Sequence, residues 1–294
     1  MKGLVVNFSS TSREFVFTKT DFEIIRQIIY DHAGINLSVG KQDLVYSRLA
    51  RRLRANGLKT FSDYITLIEN RNGEEWQTFV NALTTNLTSF FREPHHFPVL
   101  ADHVAKLKHR RPIQIWCNAA STGEEPYTIA MTMIDLFESE TPPVNILATD
   151  IDTNALKKAS SGIYTLEQVS KLPKDKLQRF FLKGRGEKAG HVKVHPSLSN
   201  LITFRQLNLI EEKWPINGLF DAIFCRNVMI YFDKPTQARI LRRFVPLMHN
   251  DGLLFAGHSE SLHISSDIFR LRGKTVYELT EKIPIFNPSK TNKY

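Results

Sequence analysis

Apolar residues recur at helical spacing through the first third of the chain, and then the rhythm changes. Phe22, Ile24, Ile25, Ile28 and Ile29 predict an amphipathic helix over Thr20–His32, with Thr20 as its N-cap and Gly34 able to end it. A second helix is expected over Ser38–Asn56, where Leu44, Val45, Leu49 and Leu53 turn inward and Gly57 closes it. Phe61, Tyr64, Ile65, Leu67 and Ile68 predict a third over Thr60–Asn70; Trp76, Phe79, Val80 and Leu83 predict a fourth over Glu74–Leu87. Helix follows helix across short joins, so residues 20–87 read as a small all-helical domain. Residues 1–19, polar with scattered Phe, read as a flexible N-terminal arm.

From Ile113 the pattern becomes strand–helix alternation. Ile113–Cys117 is a short apolar run. A loop of small residues, Asn118–Gly123, follows it, and then a helix marked by Tyr127, Ile129, Met133, Ile134 and Phe137. Val144–Asp150 reads as a strand ending in an acid, and Asp152 as the N-cap of the next helix. Residues 163–200 interrupt the alternation: Phe180–Lys183 and His191–His195 flank a glycine-rich loop, Gly184–Gly190, and predict an antiparallel hairpin. Its edge offers a pairing site for an extended peptide. Further strands are expected at Ile202–Leu207, Phe220–Cys225, Gly252–His258 and Thr275–Leu279, with a helix over Pro235–His249 and a turn at Asn250–Gly252. The fold class is therefore α/β: an N-terminal helical domain, then a doubly wound domain over about 88–282 with an inserted β-subdomain at about 163–200. The polar, proline-containing residues 283–294 read as a disordered tail.

At 294 residues the chain can bury a substantial core. It has no apolar run near the ~20 residues that span a bilayer, and no N-terminal pattern of signal-peptide type. Its two cysteines, Cys117 and Cys225, cannot form a disulfide framework, which fits a reducing cytoplasm. The net charge of +9 points to an acidic partner. The second helix concentrates that charge, with Arg48, Arg51 and Arg52 three and four residues apart on one face. No aromatic–glycine pattern of an RNA-binding module accompanies them, so an acidic protein is favoured over nucleic acid.

In a doubly wound sheet ligands bind at the carboxyl ends of the strands. Ala119–Gly123, Asp150, Asn208 and Arg226–Asn227 all fall there. An acid at the second strand tip, Asp150, is placed to accept hydrogen bonds from ribose hydroxyls. Glu124 and Glu125 sit where a pyrophosphate would lie, which argues for a ligand bearing hydroxyls or positive charge. Arg92 beside Glu93 suggests a local salt bridge; His95 and His96, adjacent on a helix, are expected to diverge and not to pair as metal ligands.

Leu87-Thr-Ser-Phe-Phe-Arg-Glu, Ala120-Ser-Thr-Gly-Glu-Glu-Pro-Tyr, Ala148-Thr-Asp-Ile-Asp, Cys225-Arg-Asn-Val-Met-Ile-Tyr-Phe-Asp and Phe255-Ala-Gly-His-Ser-Glu resemble, in order, motifs of the bacterial chemotaxis receptor methyltransferases, the CheR family. The resemblance runs from about residue 20 to 280. It implies a Rossmann-like methyltransferase domain that uses S-adenosylmethionine, releases S-adenosylhomocysteine and needs no metal. The expected reaction is esterification of glutamate side chains on the cytoplasmic helices of chemoreceptors. Carried over by motif, the cofactor contacts are Asn86, Thr88, Arg92, Glu125, Asp150, Asn208, Leu209, Arg226 and Asn227. Arg92 and Tyr231 would flank the methyl group and the incoming carboxylate; Arg48, Arg51 and Arg52 would dock the acidic receptor helix. The β-subdomain resembles the type that holds a receptor C-terminal peptide. A cytoplasmic monomer that neither enters the membrane nor binds nucleic acid is the expectation. Two rivals are a nucleic-acid methyltransferase, whose usual aromatic–proline loop is missing after Cys225, and a non-catalytic adaptor that keeps the fold.

Overall fold

A computed structural model describes residues 13–260, 262 and 266–280; the expectations for residues 1–12 and for the tail 283–294 lie outside the described residues. The chain divides into two compact units: residues up to Asp31 together with Leu37–Leu83 form one, and His32–Asn36 together with the chain from Thr84 onward form the other.

The first unit is built on four helices: α1 (Lys19–Ala33), α2 (Gln42–Ala55), α3 (Phe61–Glu69) and α4 (Glu74–Leu83). The cap of α1 is Thr18 and not Thr20. Thr18 Oγ1 accepts from the Asp21 N–H at 3.1 Å, while Asp21 Oδ2 accepts from the Thr18 N–H at 2.8 Å, a reciprocal box that starts the helix early. Thr60 caps α3 as its sequence position requires. The expected apolar faces meet in a core of Phe22, Ile25, Ile29, Val45, Leu49, Leu53, Phe61, Tyr64 and Phe79, all essentially inaccessible. Residues 13–18, expected as part of a loose arm, are tied down: Arg13 pairs with Asp43, Arg54 reaches Glu14 at 2.9 Å, and the Phe17 ring lies 4.3 Å from that of Phe61. Helix α4 stops at Leu83, short of the expected Leu87.

The second unit opens with α5 (His96–Ala105), β1 (Ile113–Cys117), α6 (Glu124–Phe137), β2 (Val144–Asp150) and α7 (Thr153–Ser161). A small antiparallel sheet follows, made of β3 (Ile163–Thr165), β4 (Phe181–Lys183) and β5 (His191–Val194) in the order β3-β5-β4, with α8 (Leu166–Val169) and α9 (Lys174–Phe180) between its first two strands. The hairpin foreseen in the sequence is β4–β5; β3 adds a third strand on its far side. The chain then returns through α10 (Pro196–Ser199), β6 (Ile202–Gln206), β7 (Phe220–Cys225), α11 (Lys234–Phe244), β8 (Met248–Ala256), β9 (Phe269–Gly273) and β10 (Val276–Leu279).

The main sheet runs β6-β2-β1-β7-β8-β10-β9. Its first five strands are parallel and its last two antiparallel. Alternate residues of β1 feed opposite faces: Ile113, Ile115 and Cys117 join the core under α6, whereas Trp116 packs with Phe220, Leu241 and Phe244 under α11. The chain fills the sheet outward from β1 to β2 and β6, then crosses to β7 and β8. The order reverses between β1 and β7, and α/β sheets hold their ligands at the carboxyl edge beside such a reversal.

Two expectations need correction here. The helix foreseen over Pro235–His249 ends at Phe244, because Pro246 cannot continue it, and β8 already begins at Met248. The turn at Asn250–Gly252 is instead a register shift inside β8, opposite Phe220 and Ala222. Gly252 permits it: a Cβ there would lie 2.9 Å from His249 O and 3.0 Å from Phe220 O. Strand β9 was not foreseen.

Candidate active site

The turn from β1 into α6 is tightly wound. The Gly123 N–H returns to Ala120 O at 2.9 Å, and Gly123 takes φ +99° as it caps α6. Ser121 also sits in the left-handed region, at φ +49°. Its N–H donates to Asp150 Oδ2 at 2.7 Å, and its hydroxyl lies 3.2 Å from Asn86 Oδ1. Asn86 Nδ2 and Thr84 Oγ1 both donate to Asp152 Oδ2, at 2.7 and 2.6 Å. Asp152 meanwhile caps α7 by accepting from Asn154 N and Ala155 N, the role expected of it. Three expected site regions, the 84–88 segment, the β1 loop and the tip of β2, are thus stitched together by short polar contacts. Burial pushes the Asp150 carboxyl up to about 6, although backbone N–H groups of Asp152 and Ser121 favour its charged form.

A second cluster straddles the sheet reversal. Arg226, directly after β7, is buried, with its side chain 1% exposed, and pairs with Glu125 at the start of α6. Its other terminal nitrogen donates to the Arg92 carbonyl at 2.6 Å and lies 3.3 Å from Glu93 Oε2. Burial works against the guanidinium charge, but Glu125 and Glu93 outweigh it and raise the Arg226 pKa. Glu93 also accepts from His258 N at 3.1 Å and from Asn227 Nδ2 at 3.3 Å. These bonds and the Arg226 charge overcome burial and lower its pKa. Glu125 Oε1 accepts from Cys117 Sγ at 3.2 Å. Glu124, the other acid of the loop, is turned elsewhere, toward Thr122 at 2.6 Å and Gln168 at 3.4 Å.

The structure brings Asn86, Asp150, Arg92, Glu125, Arg226 and Asn227 into these two clusters. Arg92 does not pair with Glu93; it donates to Leu87 O at 2.7 Å and fixes the turn that precedes it. Thr88 is half-buried in the same segment. The Asn208 side chain makes its bonds outside both clusters, donating to His32 O at 2.6 Å and accepting from Ile210 N at 3.2 Å, but the preceding Leu207 N–H donates to Asp150 O at 3.0 Å; Leu209 is buried beneath α11. Tyr231 ends a 3-10 turn, Met229–Tyr231, and its carbonyl accepts from Asn36 N at 2.8 Å. His95 and His96 do not diverge: their rings are 4.2 Å apart, and with Glu93 they bring three potential ligand atoms within 4.8 Å of one another. His96 is fully buried, its Nε2 is 3.1 Å from Lys274 O, and burial lowers its pKa to about 4. Arg226 already balances the Glu93 charge beside it.

In the helical unit, the three arginines of α2 are in different situations. Arg52 holds Glu75 with two hydrogen bonds, at 3.0 and 2.6 Å, and Tyr64 donates to the same carboxylate at 2.7 Å. Arg48 donates to Ala82 O at 3.2 Å. Arg51 is exposed.

Comparison with known proteins decides the family. Residues 20–84 match the description "CheR methyltransferase, all-alpha domain", and residues 86–278 match "CheR methyltransferase, SAM binding domain". The chain belongs to the CheR methyltransferase family. It is 52% identical over 267 residues to "Chemotaxis protein methyltransferase 2" of Pseudomonas aeruginosa, covering 90% of this chain and 95% of that one. It is likewise 52% identical over 261 residues to "Chemotaxis protein methyltransferase" of Escherichia coli, covering 88% and 91%. Solved structures superpose loosely; the plantazolicin methyltransferase BpumL, in complex with SAH, gives a TM-score of 0.34 at 12% identity over 81% of this chain and 61% of that one. Membership of the family makes this chain an S-adenosylmethionine-dependent methyltransferase of the chemotaxis system. Among the described residues no helix is long and apolar enough to cross a membrane.

The donor set fits the cofactor. A sulfonium nucleoside carries positive charge and hydroxyls and no phosphate, and here Asp150 ends β2 and Glu125 lies in the first turn of α6. A phosphate would meet both carboxylates.

Proposed function

We propose that the protein is a protein-glutamate O-methyltransferase that esterifies glutamate side chains on chemoreceptor cytoplasmic helices. The observation that carries the proposal is the buried arginine, Arg226, that locks Glu125, Glu93 and the Arg92 backbone in one place beside the β1–β7 reversal of the sheet. When bound, S-adenosylmethionine supplies a sulfonium methyl group that a carboxylate oxygen can take without any proton transfer. A glutamate is ionised at neutral pH, with a reference pKa near ~4.3, so the chain need supply no general base. Its work is to orient and to exclude water. Asp150 accepts from the ribose hydroxyls, while Asn86, Thr88, Asn208 and Leu209 frame the rest of the nucleoside. Glu125 faces the cationic end. Arg92, its backbone held by Arg226 and its guanidinium by Leu87 O, and Tyr231 flank the incoming carboxylate. An arginine bonded too tightly to the nucleophile would stabilise the ground state, so Arg92 orients more than it activates.

Docking falls to α2. Arg51 is the exposed cation of the trio and has no ion pair among the described residues, with Arg48 half-buried beside it; Arg52 serves the helical unit through Glu75. The β-subdomain carries a cavity of about 640 Å³ lined by Ile163, Leu182, Arg185, Lys188, His191 and Lys193, whose apolar floor and basic rim suit an extended receptor C-terminal peptide. The enzyme acts as a cytoplasmic monomer.

The test is mass spectrometry of a receptor cytoplasmic fragment incubated with the enzyme and S-adenosylmethionine. Methyl groups on glutamate that are released by mild alkali support the reading. Methylation confined to lysine, arginine or nucleic acid, or none at all, refutes it.

A further inference from the structure

The family motif Phe255-Ala-Gly-His-Ser-Glu260 ends in an acid to which none of the roles above falls. Glu260 is 4% exposed, yet it has no cationic partner within salt-bridge reach among the described residues. Instead its carboxylate collects backbone N–H groups. Oε2 accepts from Gly257 N at 2.6 Å and from Asn227 N at 2.8 Å, and Oε1 accepts from Met229 N at 2.7 Å. Gly257 lies on the turn after β8, and the other two lie on the loop after β7. One side chain therefore clamps two strand-tip loops together.

The loop it grips is the one that matters for chemistry. It carries Arg226, then Asn227, then the 3-10 turn Met229–Tyr231. Asn227 is held at φ +58°, a left-handed conformation that a non-glycine residue keeps only when its surroundings impose it. Glu260 binds the N–H of that very residue. The close approach of the two loops also dictates Gly257: a Cβ there would stand 2.5 Å from Asn227 Nδ2, 2.8 Å from Asn227 N and 2.7 Å from Glu260 Oε2. Burial pushes the Glu260 carboxyl up, while the N–H bonds from Gly257, Asn227 and Met229 pull the other way. A neutral carboxylic acid would turn an O–H toward a backbone donor and break one of these contacts.

We infer that Glu260 is a positioning residue for methyl transfer: by accepting the N–H groups of Gly257, Asn227 and Met229 it holds the Arg226–Tyr231 loop in its reactive conformation. It touches neither cofactor nor substrate and acts through Asn227 and Tyr231. The inference rests on the methyltransferase reading given above.

Glu260→Gln is the sharp perturbation. It keeps the shape but replaces one acceptor oxygen with an NH2 that must face a backbone N–H. Glu260→Asp keeps the charge on a shorter stem and is the conservative variant. Turnover is measured in the full-length protein at saturating S-adenosylmethionine and receptor fragment, and divided by the number of sites that bind S-adenosylhomocysteine in calorimetry. Glu260→Gln is expected to lower turnover per competent site at least tenfold, with Glu260→Asp in between. Wild-type turnover per competent site in Glu260→Gln, whatever its melting temperature, overturns the inference, because a purely structural carboxylate would lower only the number of competent sites. Amide hydrogen exchange gives a readout independent of activity: the N–H groups of Asn227 and Met229 should be protected in the wild type and exchange at least tenfold faster in Glu260→Gln. If the wild type itself transfers no methyl group, the proposed function falls; unprotected Asn227 and Met229 amides would separately overturn the clamp.

Discussion

Arg226→Ala gives the severest test of how the site is held. The guanidinium is buried, and it is the charge that faces both Glu125 and Glu93. Removing it leaves two carboxylates in a poorly solvated place, and the Arg92 carbonyl loses its donor. Breaking a buried ion pair from one side costs about 3–5 kcal/mol, a large share of the ~5–15 kcal/mol that holds a domain folded. With an m-value of roughly 2 kcal/mol/M in urea, the unfolding midpoint should fall by about 2 M. The two units need not unfold together, so the probe must report the second alone. Trp116 and Trp214 belong to that unit and Trp76 to the other, so tryptophan fluorescence in a Trp76→Phe background isolates it. Arg226→Lys keeps the charge but not the fork, and should cost about half as much. The double variant Arg226→Met with Glu125→Gln should recover part of the loss, since a matched neutral replacement leaves fewer stranded charges. A midpoint in Arg226→Ala within ~0.3 M of wild type, at unchanged m, would refute the argument.

Other consequences follow from particular groups. If the Asp150 carboxylate holds the ribose, its pKa of about 6 makes cofactor affinity fall as the pH drops. The apparent dissociation constant should rise about tenfold between pH 7 and pH 5. Asp150→Asn should bind weakly with a flat pH profile, and an equally steep profile in that variant would exclude Asp150 as the titrating group. His96 has a folded pKa of about 4. That lies below the ~6.5 of an unfolded histidine, so its contribution is complete above pH ~6.5 and is lost as the pH falls toward 4, to a total of roughly 3 kcal/mol. Urea titrations from pH 7 to 4 should show a shallower decline for His96→Asn than for wild type; equal slopes would contradict this. Arg51→Glu should raise the Michaelis constant for receptor several-fold and weaken its salt dependence while leaving folding intact. Arg52→Glu should instead shift the unfolding of the helical unit, read through Trp76. Equal effects on docking from the two substitutions would dissolve the distinction drawn between them.

Much of this architecture was legible because periodicity is a local record of burial. The spacing of Phe61, Tyr64 and Ile68, or the apolar run Ile113–Cys117, states which element forms and which side faces the core. Strand tips then follow, and with them Asp150, Glu125 and Arg226–Asn227. What resisted reading depends on backbone turns that place sequence neighbours in unrelated surroundings. Arg92 and Glu93 invited a local ion pair, but Phe91 at φ +52° and Glu93 at φ +52° send the two side chains to different partners. His95 and His96 come together even though His95, the N-cap of α5, already has helical backbone angles of φ −64° and ψ −17°, so adjacency on a helix does not by itself separate two rings. The arginines of α2 share a helical face in projection, yet Arg52 finds Glu75 on another helix, a pairing no spacing rule supplies. Glu260 ends the motif Phe255-Ala-Gly-His-Ser-Glu260, but its partners are backbone N–H groups, which leave no trace in side-chain identity. The bulge in β8 gave the same kind of misreading, since Asn250-Asp-Gly252 has turn chemistry but lies within a strand.

The central claim is that the carboxyl edge of the sheet at the β1–β7 reversal binds a sulfonium nucleoside through Asp150 and the Glu125–Arg226 pair. Calorimetric titration of the full-length protein with S-adenosylhomocysteine, set against Asp150→Ala, tests it most directly. One site per chain in the wild type, weakened at least tenfold in the variant, is the predicted result. Equal affinity in the two proteins, or no binding by a folded wild type, would contradict it.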